Sequence, residues 1–355
     1  MTKDKKRYED LNQLVKDLVL EAGAIDGGVV TTETLDGGPP STDLSYVLDG
    51  AKSAVVFALA LDQEKIERFL KKEDFHGHNL DNIRTNTLAS GISLDLARFL
   101  EMKGYGAVPV ESNQVYRKDT PRGLYEEKPP ISHRYLAVRA GIGHFGLSGN
   151  VIRKDGAAII LGSMVTDAQL TPTKPLPAEE NYCDECRLCF SACASGLMHE
   201  DEKTTITMGG VEFSYARRVN YNRCDYICGG YTGLSKSGKW STWSPARFPI
   251  PEKDEEFLDA IRAAVKPYAY RPRPGAGFYN PILPGNKTQF TCGQCQLICH
   301  PDKDVRTKRF KMLMEAGVVI QLADGSLKAV SPEEAEAYVA ALSPEKRALY
   351  EIIEN

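Results

Sequence analysis

The chain has 355 residues, 42% of them hydrophobic and 26% charged, and a formal charge of −4. That length points to two domains, and the composition excludes a disordered or low-complexity chain. The slight negative charge argues against broad attraction to nucleic acid and leaves only a local basic patch at Lys303, Arg306, Lys308, Arg309 and Lys311.

Residues 5–25 read as a helix, amphipathic through Leu11, Leu14, Val15, Leu18 and Val19, with neither an apolar leader nor a twin-arginine pair before it. Nowhere do about 18 apolar residues run together, so no segment is expected to cross a membrane and a cytoplasmic protein is expected. After a loop at 37–42, the apolar run 51–61 suits a strand buried on both faces. Residues 89–103 have helical spacing and stop at Gly104. Strands are expected at 107–110 and 157–165, and strands alternating with helices imply a layered α/β domain over residues 1–177.

A proline-rich connection from Thr171 to Pro177 marks the expected boundary. Residues 178–305 then form a cysteine-bearing domain with a long Gly-, Pro- and aromatic-rich insert, 229–289, helical near 255–265. Trp240, Trp243, Phe248, Tyr268, Tyr270, Phe278 and Tyr279 favour an ordered cover over a slack linker. The tail, 306–355, reads as a helix over 306–316, a hairpin at Asp324-Gly325 and a last helix opened by Ser331-Pro332-Glu333-Glu334.

All nine cysteines lie between residues 183 and 299, a clustering that in an unexported chain of this size points to metal and not to disulfides. Cys183-x2-Cys186-x2-Cys189-x3-Cys193 has the bacterial ferredoxin spacing, in which three thiolates wrap one iron–sulfur cube and the fourth crosses to a second. Cys292-x2-Cys295-x3-Cys299 supplies three more. The expected sets are Cys183, Cys186, Cys189 and Cys299 on one 4Fe–4S cluster, and Cys193, Cys292, Cys295 and either Cys224 or Cys228 on the other. Zinc would use the same Cys-x2-Cys pairs but has no need of the further cysteines at this spacing.

Two other patterns carry no chemistry. Gly141-x-Gly143-x-x-Gly146 matches a dinucleotide fingerprint in letters, but Leu147-Ser148-Gly149-Asn150 continues the turn and leads into Val151–Arg153, where a Rossmann loop would open a helix. Gly233-x4-Gly238-Lys239 is followed by Trp240, where a phosphate loop needs Ser or Thr.

In order along the chain, Ala137–Gly146 (Ala-Val-Arg-Ala-Gly-Ile-Gly-His-Phe-Gly), Gly162–Asp167, the first cysteine run, Arg223-Cys224 and the second run resemble the epoxyqueuosine reductases over roughly residues 50–300. The related reductive dehalogenases share this plan. The resemblance implies a cobalamin-dependent reductase: a nitroreductase-like α/β domain holding base-off cobalamin, and a bacterial ferredoxin-like domain whose two 4Fe–4S clusters pass electrons to cobalt and so to a substrate. It selects Cys224 as the eighth thiolate. It makes Glu111, in Val110-Glu111-Ser112, the general acid if burial keeps its carboxyl protonated. It sets Arg139, Gly141, Gly143, His144 and Gly146 against the corrin.

An external donor of ferredoxin or flavodoxin type would supply the electrons. The chain departs from the family in carrying Phe75-His76-Gly77-His78-Asn79 where Arg-Asp-Tyr-His is usual. After Cys299 it runs only to Asn355, where the family commonly adds a helical-repeat domain, so a small-molecule substrate is expected before tRNA. A protein that reduces the corrinoid of a separate partner is one alternative, and an epoxyqueuosine-tRNA reductase without the helical-repeat tail is another.

Overall fold

In the computed structural model the described residues are 10–112, 117–119, 129–273, 278–279, 287–288 and 290–353. They divide into two compact units, one of residues 1–61, 84–185 and 204–215, the other of 62–83, 186–203 and 216–355. The division is not one cut. The segment 62–83 and the whole tail belong with the cysteines from Cys186 on, Cys183 falls in the first unit, and the proline-rich connection is no linker. Thr173 instead exchanges hydrogen bonds with both backbone groups of Val29, inside the first unit.

The first unit is built on Ser53–Ala60, buried at every position but the last. It pairs with Asp26–Thr31 on one side and Ile159–Thr166 on the other, and Ala107–Val110 closes the sheet beyond Ile159–Thr166. All three pairings are antiparallel, so the domain mixes strands and helices without parallel crossovers. Phe57 stands opposite Gly162, where any Cβ would strike its ring, so the glycine makes room for a fully buried aromatic in mid-sheet. Val30, Val56, Ala58 and Val165 share a core with Leu136, Ala137 and Val138 of the helix His133–Arg139.

Helix boundaries follow caps more than hydrophobic pattern. Of the helix expected at 5–25, residues 5–9 lie outside the described residues; the described helix spans Leu11–Glu21, with Asp10 accepting from the Asn12 N–H. The helix expected at 89–103 starts much earlier and runs Phe75–Met102, because Asp74 accepts the N–H groups of His76 and Gly77 and nucleates a polar, glycine-containing stretch that periodicity passes over.

In the second unit the aromatic insert is core, not cover. Tyr226, Ala246, Phe248, Phe257 and Ala264 form one buried cluster between the helices Tyr221–Cys228 and Phe257–Tyr270. Trp240 and Trp243 are buried too, while Tyr270 is exposed; the side chains of Phe278 and Tyr279 lie outside the described residues. The helix Lys303–Glu315 docks on Gln63–Leu70, where Lys308 pairs with Glu67 and Arg309 reaches Gln63. The expected hairpin is Val318–Gln321 paired with Leu327–Val330. Ser331 and Glu334 form the expected capping box of Pro332–Ala340, whose Ala335 packs on Val318 and Ile320.

Candidate metal centre

The two cysteine runs have the same local architecture. Cys186-x2-Cys189-x3-Cys193 and Cys292-x2-Cys295-x3-Cys299 have identical spacing, and each folds one short helix, Leu188–Ser191 and Gln294–Leu297. The residue before each helix is left-handed, Arg187 at φ 60 and Gly293 at φ 95. The Cys193 N–H closes on Phe190 O at 3.0 Å, and the Cys299 N–H on Gln296 O at 3.2 Å. For a non-glycine such as Arg187, or Glu185 at φ 55 just before it, that conformation costs about 1 kcal/mol or more. Left-handed residues between cysteines turn backbone N–H groups toward a common point, which suits an anionic sulfur cluster.

Three cysteine thiols act electrostatically on a fourth, Cys292. Cys292 is half-buried as a residue, yet its thiol is deep enough that desolvation drives its pKa strongly up, and Cys295, Cys224 and Cys193 add to the effect. Those four are the residues expected as the second set, with Cys224 the one the resemblance selects. Cys228 lies one turn along the same helix; its carbonyl accepts from the Thr291 N–H at 3.4 Å, while the Thr291 hydroxyl donates to Ile227 O at 2.9 Å. Among the described residues no three His, Cys, Asp or Glu side chains converge as ligands of a single ion; a cube distributes its thiolates over four irons and does not ask for such convergence.

The donors near these sulfurs fit thiolates. The Leu197 N–H points at Cys193 Sγ at 3.4 Å and the Leu147 N–H at Cys183 Sγ at 3.3 Å. Cys292 donates its proton to Gln294 Oε1 at 3.2 Å, while the buried Gln294 Nε2 has no partner. Once Cys292 loses that proton, turning the amide over gives the orphaned N–H a sulfur acceptor. Arg218 stands close to Cys295 and Cys224; burial opposes its charge, but the Tyr221 phenol and the two thiols outweigh this and its pKa is raised.

Arg223 bridges the segments that carry Cys224 and Cys193. Its guanidinium binds Asp254 at 2.5 Å, Ser195 O at 2.9 Å and Glu252 O at 3.0 Å, and lies over the Phe257 ring. It therefore ties Cys224 on its helix to the turn after Cys193. Arg223→Met should destabilise the protein by about 2 kcal/mol, discounted for partial exposure, read as a lower urea midpoint.

The residues assigned to acid and corrin chemistry lie in the first unit. Glu111 is exposed at a strand end, so the described residues do not supply the burial its role requires. Its turn is nonetheless fixed: Ser112 donates to Leu161 O at 2.9 Å, and His133 Nε2 donates to the Glu111 carbonyl at 3.0 Å. That bond places the proton of His133 on Nε2 and leaves Nδ1 to accept from Ser163 at 2.8 Å. Burial lowers the pKa of His133. Sequence reasoning missed both His133 and Ser163.

The glycine loop is a tight hairpin in which His144–Phe145 pairs with Val151–Ile152, without the helix a dinucleotide site requires. Gly146 receives no helix after it; its N–H binds Asn150 O at 2.8 Å. A Cβ on Gly141 would strike Lys174 O, and one on Gly143 would strike Ile152 O. Arg139 is spent on Thr34 O and Met208 O. His144 donates to Pro177 O at 2.9 Å and meets Tyr182 edge-on. These residues hold protein against protein, beside Cys183, and their fit to a corrin is not carried by their contacts.

No family model matches the chain. In sequence it is 26% identical over 172 residues to the epoxyqueuosine reductase of Gloeobacter violaceus, covering 46% of this chain and 46% of that one. It is 36% identical over 83 residues to the epoxyqueuosine reductase of Synechocystis, covering 23% and 28%. Among solved structures, a reductive dehalogenase studied for B12-dependent dehalogenation aligns with 98% of this chain and 39% of its own, at 15% identity and a TM-score of 0.49. The chain spans less than half the length of these curated relatives. Over the part that aligns, it is a sequence relative of the epoxyqueuosine reductases, which are oxidoreductases.

Proposed function

We propose that this chain is a reductase of the epoxyqueuosine reductase type, with two 4Fe–4S clusters that hand single electrons to a corrin. The action of Cys193, Cys224 and Cys295 on Cys292 supports the reading, because the crossing pattern of two cubes calls for Cys193, Cys292 and Cys295 together and the resemblance adds Cys224. Cys183, Cys186, Cys189 and Cys299 would hold the other cube. When bound, the clusters supply one-electron storage and a corrin supplies low-valent cobalt as the reductant of the substrate. The chain's own contribution is to hold the thiolates with aimed N–H groups and to fix the Glu111 turn through His133 and Ser112. Glu111 would deliver a proton to the substrate once bound ligands cover its carboxyl.

A second reading is favoured by the contacts of Arg139, Gly141 and Gly143, which are taken up by the protein itself. In that reading the chain reduces a corrinoid carried by a partner protein. Metal analysis of the full chain prepared without oxygen separates the two. About eight irons with one cobalt per chain supports the reductase, and about eight irons without cobalt supports the carrier. Zinc in place of iron overturns both.

A further inference from the structure

Lys72 is expensive where it stands. It is 7% exposed, its Nζ has no hydrogen-bond partner, and its backbone is left-handed at φ 59. An unpaired ammonium inside a protein and a strained non-glycine residue each oppose folding, and both costs fall on one side chain. Nζ lies 5.7 Å from the centre of the Trp243 ring. Trp243 is held on both sides: its Nε1–H binds Phe69 O at 2.9 Å and its backbone N–H binds Thr291 O at 2.8 Å.

Asn79 adds a second tie by accepting the Phe290 N–H at 3.1 Å and donating to Phe290 O at 3.4 Å. The Lys72 segment is thereby stitched to the two residues that precede Cys292. Burial pulls Lys72 down to about 7, and the charge of Cys292 works against that fall. The neighbouring His78 is no rival partner, since it is itself buried, with Nδ1 unbonded.

We propose that Lys72 is the charge partner of the cube ligated through Cys292, and that its ammonium stabilises the reduced, more negative cube and raises that cube's reduction potential. The inference rests on the cluster reading above. Each cube takes one electron from an external reductant, here dithionite, and no bond forms or breaks.

The test is a potentiometric titration of the full, iron-loaded chain followed by electron paramagnetic resonance, after iron and sulfide have been counted. In Lys72→Met and in Lys72→Gln, one cube should show a reduced-to-oxidised ratio at fixed potential about tenfold lower than in the wild type, a midpoint ~59 mV more negative. The other cube should move by less than threefold, and Lys72→Arg should restore the first. Changes under threefold at both cubes in both neutral variants overturn the role of Lys72 while leaving the clusters standing. A wild-type chain that takes up no iron overturns the cluster reading itself.

Discussion

On the proposed two-cluster reading, Cys224→Ala should cost the protein one cube, while Cys228→Ala should leave both. The two thiols stand one turn apart on the helix Tyr221–Cys228, and Cys224 is among the thiols that act on Cys292. Removing it leaves three thiolates for four irons. Iron should then fall from about eight per chain by one to four, according to whether the cube sheds its unligated iron or is lost entire. The spectrum of the remaining cube should be unchanged. Equal iron in Cys224→Ala and wild type, together with loss in Cys228→Ala, would reverse the assignment.

Lowering the pH from 7 to 5.5 should remove about 1.2 kcal/mol of stability through His78 alone, and His78→Gln should flatten that dependence. The ring is 3% exposed and lies 4.7 Å from Phe69. Burial pushes its pKa down to about 4, with Asp81 pulling the other way. In the unfolded chain the same group titrates near 6.5. Above that value neither state holds the proton. As pH falls below it, the unfolded chain takes up a proton that the folded one refuses, and stability drops until about pH 4, for a total of about 3 kcal/mol. Urea midpoints of wild type and His78→Gln at the two pH values isolate the effect, since the other groups cancel in the difference. Parallel pH profiles would show that His78 is protonated in the folded state.

What could be read from the sequence was what is local. The cysteine spacing, the strand at 107–110, the capping box at Ser331 and the hairpin around Asp324-Gly325 are each written within a few consecutive residues. The pairing of Phe57 with Gly162 was not legible, because it joins positions far apart and gives the sheet its antiparallel order. Nor was the membership of 62–83 in the cysteine unit, which rests on Asn79 meeting Phe290 and Lys308 meeting Glu67. The aromatics of 229–289 were seen as ordered, correctly for Trp240, Trp243 and Phe248, but not as core, since composition does not say what covers what. Lys72 and His133 gave no signal at all: a lone lysine or histidine reads as surface until its surroundings are known. The glycines at 141 and 143 illustrate the converse, a conspicuous motif whose small residues serve the close passage of neighbouring chain.

Asn79's amide pairs with a backbone more than two hundred positions downstream. On a ribosome adding about 5–20 residues per second, those partners are separated by on the order of 10–40 s of synthesis. Through that interval the buried faces of Phe69, Phe75 and His78 have no Trp243 or Phe290 to close on, and this early stretch of the nascent chain is the part most in need of a chaperone's shelter.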